Sequence, residues 1–492
     1  MKIALRLVPA LIVGIILSGC TSDATKSGNV SSATGWDYNK GKEEFGGFEV
    51  VESADQETGP GLTLIEGGTF TMGKVQDDVM YEWNNVPRRV TVSSFYMDIA
   101  EVSNVNYREY LFWLTRVFTS NPSIAKHAHP DTLVWRDPMA YNEPYVEYYF
   151  RHPSYNEYPV VGVNWVKAND YALWRTDRVN EKILIDLGII EFRSDQSDSS
   201  GFIFTTDAYL HGGFIDAFNV NLPNDRNVRM EDGFLLPKYR LPTEAEWEFA
   251  ALGLIGNTVD ELIWERKTYP WNGHNVRNDS PRYMGQMRGN FIRGKGDMMG
   301  VAGSLNDNAS ITAAVKSYWP NDYGLFCMAG NVSEWVLDVY RPLSYEDVSG
   351  FRPFRGNVYQ KIVMDPTIGE PKRDSMFRFE RDTITEKDAE GRFNYRKGDY
   401  RNYQDGDRQS ALKRGVLDTD PEFTDTESMY VYRQNDYSSL VSDEVRVYKG
   451  GSWKDRAYWL SPGERRFLKE TEARDDLGFR CAMTRVGAPT GF

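Results

Sequence analysis

Few side chains in this 492-residue chain are of the types that do redox or nucleophilic chemistry: there are three cysteines and five histidines, and no Gly-x-Ser-x-Gly nucleophile elbow. Cys327 and Cys481 are the thiols beyond residue 20, so one internal disulfide is open to them and a disulfide scaffold is not. Neither belongs to a Cys-x-x-Cys pair, which argues against structural zinc. Cys327 stands in an apolar run, Gly324-Leu325-Phe326-Cys327-Met328-Ala329, and reads as a core thiol. His127-Ala128-His129 could set two imidazoles on one side of a strand, but no nearby Cys or acid cluster completes a metal set, so an exposed loop is expected. Gly289-Asn290-Phe291-Ile292-Arg293-Gly294-Lys295 has phosphate-loop spacing, yet Gly296 stands where a magnesium-binding Ser or Thr is required.

The N-terminus carries Lys2 and Arg6, an apolar run over 7–17, and Leu17-Ser18-Gly19-Cys20, the order of an export signal. That ending resembles the bacterial lipobox, which implies cleavage after residue 19 and a diacylglycerol on Cys20. Residues 1–19 are then a lipoprotein signal peptide, and 20–59 a lipidated cysteine and flexible tether rich in Ser, Thr, Gly, Asn and Lys. The apolar run is far shorter than the roughly 20 residues a membrane span needs, which disfavours an uncleaved anchor.

With 57 Lys+Arg against 71 Asp+Glu the net charge is −14, which argues against nucleic acid as a partner. Aromatics make up 14%, high for a solvated chain, and call for a large core, an aromatic interaction surface, or both. The elements that must position the candidates begin with Leu62 to Gly73, read as strand, Gly-Gly turn, strand, followed by a β-rich run from Val90 to Met97. Ser103 opens a helix with Tyr107, Tyr110, Leu111 and Leu114 on one face. A second helix starts near Asn164, and Thr243 with Glu246 has capping-box spacing for a third. Two long, less regular segments, 175–239 and 341–445, are expected as insertions; the second is dense in charge and tyrosine and reads as a partner-binding surface.

The string of motifs resembles the sulfatase-modifying, formylglycine-generating enzyme domain. It runs through Gly67-Gly68-Thr69-Phe70-Thr71-Met72-Gly73, Tyr158-Pro159-Val160-Val161-Gly162-Val163-Asn164-Trp165, Arg240-Leu241-Pro242-Thr243-Glu244, Ala329-Gly330-Asn331-Val332-Ser333-Glu334-Trp335, Gly450-Gly451-Ser452-Trp453 and Gly478-Phe479-Arg480-Cys481-Ala482. The resemblance covers 60–485 and implies an α+β, C-type-lectin-like fold with little regular secondary structure and long insertions. The family's enzymes hold copper(I) between two cysteines and oxidise a substrate cysteine. The positions of those cysteines are Asp455 and Leu460 here, so no copper and no oxidase activity are expected, because soft Cu(I) selects sulfur. The resemblance also implies calcium as the candidate cofactor, in two oxygen sets. The first comprises Asn290, Phe291, Asp307 and Ala309. The second comprises Gly330, Val332 and Glu334, with Cys327 replacing the family's asparagine, and Glu334 bonding locally to backbone is its alternative.

Within this fold the chain resembles the gliding-motility lipoproteins of the Bacteroidota, the GldJ and GldK group. Residues 79–87, 131–136, 148–153, 174–181 and above all 446–463 carry the likeness, and Gly35-Trp36-Asp37-Tyr38-Asn39 leans toward the GldJ branch. That resemblance implies a non-catalytic lipoprotein on the periplasmic side of the outer membrane, working in the type IX secretion and gliding machinery. Its partners would be outer-membrane lipoproteins and periplasmic ring components. Two other classes stay open: a lectin-like carbohydrate- or ligand-binding module, and a divergent enzyme using Asp455, Glu334 or Ser333 in the old cleft.

Overall fold

The computed structural model describes residues 30–40, 48–51, 55–74, 85–211, 228–255, 258–259, 262–263, 267–292, 309, 311–340, 360–367, 369–384 and 444–487. The chain divides into two compact units. The small unit holds Glu231–Gly233 and, before residue 55, a turn in which Val30 pairs with Asp37, Asn39 bonds to Val50, and Tyr38 meets Phe48 edge-on.

The large unit begins with β1 (Leu62–Ile65), β2 (Gly68–Met72), β3 (Arg88–Val92) and β4 (Phe95–Asp98). The strand, Gly-Gly, strand reading holds, but the glycines do not make a hairpin. β1 pairs antiparallel with β4 and β2 with β3, so the two strands enter different sheets. A Cβ at Gly67 would lie 2.4 Å from the Val92 carbonyl oxygen, which explains a glycine at this crossing. The β-rich run over 90–97 is likewise two strands, parted by Ser93 and Ser94.

The helix Asn104–Val117 follows, with Tyr107, Tyr110, Leu111 and Leu114 buried as their spacing predicts. In the helix Trp165–Asp186 the Asn164 side chain accepts the Lys167 N–H as N-cap. This helix continues well past residue 175, because Trp174, Thr176, Asn180 and Leu184 carry its buried stripe onward. The first insertion is therefore entered in mid-helix. β5 (Tyr239–Arg240) leads into the helix Glu244–Leu252, whose capping box is formed on both sides, with Thr243 Oγ1 accepting from the Glu246 N–H and Glu246 accepting from the Thr243 N–H.

Then come β6 (Thr258–Val259), β7 (Leu262–Ile263), β8 (Ser333–Val339), β9 (Gln360–Ile362), β10 (Arg381–Thr383), β11 (Val445–Lys449), β12 (Arg466–Lys469), β13 (Leu477–Gly478) and β14 (Ala482–Thr484). Two four-stranded sheets organise the unit, in the orders β1-β4-β14-β5 and β12-β11-β8-β13. β8 is buried on both faces: Trp335 joins the core containing the two long helices, and Val336 the core around Phe70 and Trp247. The described part of the second insertion, β9 and β10 with their flanks, is tied by ion pairs from Arg378 to Asp170 and from Arg381 to Asp207.

Candidate functional site

The segment from Gly450 to Leu460 folds back on itself between β11 and β12. Gly450 and Gly451 have φ of +96° and +67°, and a Cβ at Gly451 would sit 2.7 Å from the Trp459 carbonyl oxygen. Only glycine allows that return. The loop is pinned by backbone bonds from the Gly330 N–H to the Gly450 oxygen (2.9 Å), from Trp453 to Asn331 (2.8 Å) and from Ile292 to Asp455 (2.8 Å). A short 3₁₀ turn, Ala457–Leu460, completes it.

Asp455 is held by a fork. Arg466 donates to Oδ1 at 2.8 Å and to Oδ2 at 2.7 Å, and Ser452 Oγ lies 2.6 Å from Oδ2. The same guanidinium reaches Ser333 Oγ at 2.9 Å and lies 4.8 Å over the rings of Tyr448 and Trp459. Burial pulls the Arg466 pKa down, but Tyr448 and Asp455 outweigh it and hold it above its ordinary value. Beyond Ser452 the network continues through Asp476, which accepts from Arg474 at 2.9 Å. Leu460 is fully buried in an apolar cluster with Tyr269, Met287, Phe291 and Ala329. The structure thus places Asp455 and Leu460 in different chemistry, one inside an ion-pair network and one inside hydrocarbon. Such residues do not fit copper(I), since neither offers a thiolate and the carboxylate is already bound to arginine.

Alternation along β8 turns Ser333 toward Arg466 and its neighbour Glu334 toward the opposite face. Glu334 accepts two 2.6 Å bonds from Arg480 and one of 2.7 Å from Trp247 Nε1, with no exposure. It therefore bonds to side chains and not locally to backbone. Glu101, also buried, accepts from Asn331 Nδ2 at 2.7 Å and from the Val332 N–H at 3.3 Å. Burial and the nearby Glu334 push its carboxyl well above the usual range.

The two calcium sets stand differently. In the first, Asn290 is fully buried and donates to the Ile311 oxygen at 2.8 Å. Its Oδ1 has no hydrogen-bond partner, an orphaned oxygen of the kind a hard cation takes. Phe291 is buried, Ala309 half-buried, and Asp307 lies outside the described residues. In the second, Gly330 and Val332 are buried, but Glu334 engages both oxygens elsewhere and the Cys327 thiol donates to the Val315 oxygen. Among the described residues no group of three His, Cys, Asp or Glu is placed to hold a metal.

Cys327 and Cys481 are free and buried, and burial pushes both thiols up, so neither is a ready nucleophile. His127 sits exposed in a short helix, Ser123–Ala128, and not in a loop; His129 caps it and packs edge-on against Phe150. Cys20 lies outside the described residues.

Sequence reasoning missed Arg466, Asp476, Arg480, Glu101 and Trp247 as partners. The available signal was charge set among apolar residues, above all Arg465-Arg466 at the entry to β12. Arg465 is fully buried on Glu244 at 2.8 Å, beside Lys449 and Glu248, whereas Arg466 turns to Asp455.

One antiparallel and one mixed sheet flanked by helices, with the Gly-Gly-Ser-aromatic loop running between β11 and β12, define an α+β domain. The chain matches the sulfatase-modifying factor enzyme 1-like domain over residues 47–398 and belongs to that family. Strands β11 to β14 lie beyond residue 398 and complete both main sheets. The formylglycine-generating enzyme of Thermomonospora curvata is 27% identical over 297 residues, 59% of this chain and 75% of that one. The mouse formylglycine-generating enzyme is 24% identical over 277 residues, 56% of this chain and 58% of its own length, so the chain spans little more than half of that relative. The mouse inactive C-alpha-formylglycine-generating enzyme 2 is 24% identical over 307 residues, covering 58% and 70%.

Proposed function

We propose that this chain is a non-catalytic member of the family, a lipid-anchored structural component of the type IX secretion and gliding machinery at the periplasmic face of the outer membrane. The observation that carries the non-catalytic reading is the fate of the two ligand positions. Asp455 is neutralised by Arg466, and Leu460 fills an apolar cluster. Similarity to a relative named as inactive supports this reading. The glycines and tryptophans that shape the fold remain, so architecture is kept while the redox ligands are lost. The C-type-lectin-like reading of that architecture rests on the same motif resemblance.

The anchor rests on Leu17-Ser18-Gly19-Cys20. Among the described residues no helix is long and apolar enough to cross a membrane. The secretion and gliding role rests on the motifs over 446–463 and their companions. Partners would dock on the tyrosine- and charge-rich second insertion, whose aromatics supply anchors and whose charges supply a rim.

The test is affinity purification of the tagged, lipidated full chain from envelopes of its own organism, with mass spectrometry of what accompanies it. Other secretion and gliding proteins should be recovered, and lost when residues 385–443 are deleted; recovery of the chain alone overturns the scaffold. Separately, the purified chain with Cu(I), oxygen and a cysteine-containing sulfatase peptide should yield no formylglycine, and any aldehyde product overturns the non-catalytic reading.

A further inference from the structure

We propose that a cavity of about 350 Å³ behind the Leu460 cluster is a binding site for a neutral pyranose saccharide. Its size falls within the range of small-molecule pockets, about 300 to 1,000 Å³. Aromatic and proline faces make its walls: Pro270, Trp271, Tyr318, Trp319 and Pro320. Trp271 is stacked on Tyr269 (5.1 Å, 19°) and donates from Nε1 to the Asn275 oxygen, so its ring is held in one orientation. Trp319 is 41% exposed and touches Tyr283, which leaves much of the indole open to a ligand. A flat indole presents an apolar face to sugar C–H groups and keeps a polar edge for hydroxyls.

The polar lining selects against charge. Arg288 is paired with the exposed Asp279 at 2.7 Å and Asp322 with Lys267 at 2.7 Å, so each charged liner has a counter-charge, while the buried Arg288 Nε has no hydrogen-bond partner. Asn321 is a wall element, donating to the Ala250 and Ala251 carbonyls and accepting from Tyr323 and Leu325. Asn272 and Asn278 add amides to the lining, the Oδ1 of Asn278 already accepting from the Ser280 N–H at 2.9 Å. An apolar platform, amides and internally neutralised charge suit a ligand that is uncharged, flat on one face and rich in hydroxyls.

The two departures from the family's metal chemistry converge here. Cys327 lines the cavity where the resemblance expects a calcium-directed asparagine, and the Leu460 cluster shares Trp271 and Ala329 with the cavity wall. Leucine in the former ligand position thus braces the aromatic platform from behind. The proposal goes beyond the scaffold reading and stands or falls apart from it.

The experiment uses the full-length chain in a detergent without a sugar head group. N-acetylglucosamine, glucose, galactose, mannose, chitobiose and cellobiose are each titrated by saturation-transfer NMR and tryptophan fluorescence. At least one should bind saturably, and Trp319→Ala should weaken it about tenfold, as expected of removing an aromatic anchor. Asn272→Ala, at an exposed position, should weaken it several-fold, and Asp455→Asn should leave it unchanged. No saturable binding by about 10 mM, a threshold far weaker than specific recognition needs, overturns the proposal. So does binding that survives both Trp319→Ala and Asn272→Ala, or occupation of the cavity by a proline-rich peptide in place of the saccharides.

Discussion

Two carboxylate–guanidinium forks sit on either side of β8, reached from the neighbouring residues Ser333 and Glu334. The Glu334–Arg480 fork is sealed, with side-chain exposures of 1% and 0%, and Arg480 also donates to the carbonyls of Asp98 and Phe326. The Asp455–Arg466 fork is looser, at 12% and 17%, and its guanidinium is shared with a serine and two aromatic rings. The first ties β8 to the approach of β14 and to the Glu244–Leu252 helix through Trp247; the second ties the loop over 450–460 to β12 beside Ser333. The same chemical pair therefore serves as a sealed joint on one face and as a more open one on the other.

Breaking the sealed fork should have the largest effect. Glu334→Ala leaves Arg480 buried without its counter-charge and should cost about 3–5 kcal/mol of stability, read from the denaturant midpoint. A loss below about 1 kcal/mol would mean that water or a cation replaces the carboxylate, and would reduce the two forks to equals.

The second experiment asks whether the looser fork is a replacement and no more. If the loop over 450–460 still has the family geometry, Asp455→Cys together with Leu460→Cys should gain Cu(I) binding measured by competition with a chromogenic chelator, since two thiolates restore the soft donor set. Leu460→Cys alone removes packing from a fully buried position and should cost about 1–3 kcal/mol. A double variant that folds but ignores Cu(I) would show that the loop itself has been remodelled around Arg466.

Local signals carried much of this architecture. Side-chain spacing gave the buried stripe of the helix Asn104–Val117, and Thr243 and Glu246 announced a capping box that forms on both sides. Pairings across long stretches of sequence were not legible. Glu334 meets Arg480 from 146 residues away, and nothing local distinguishes the strand that goes to β4 from the one that goes to β3. The length of the helix Trp165–Asp186 was hidden because its later stripe mixes Thr176 and Asn180 with Leu184, and those polar residues are buried by bonds to β5 and its approach: Thr176 Oγ1 accepts the Tyr239 N–H, and Asn180 exchanges bonds with Leu236. The candidate site was half visible. The two substituted positions could be read, but Arg466, whose partner lies only 11 residues away, was obscured by its twin Arg465, which faces the opposite way.

The smallest effect belongs to the looser fork, and it discriminates best. Asp455→Ala removes two bonds from Arg466 but leaves the guanidinium on Ser333 and against Tyr448 and Trp459, where contact with the ring faces continues to favour the cation. The expected loss is about 1 kcal/mol, near the value of an ordinary hydrogen bond and well below that of the sealed fork. A double-mutant cycle with Arg466→Met should return a coupling of at most about 1 kcal/mol that shrinks as salt rises, because a partly solvated pair is screened. A coupling several times larger and indifferent to salt would place Asp455–Arg466 beside Glu334–Arg480 as a second structural joint. Asp455 would then be an essential part of the fold and not a tolerated filling.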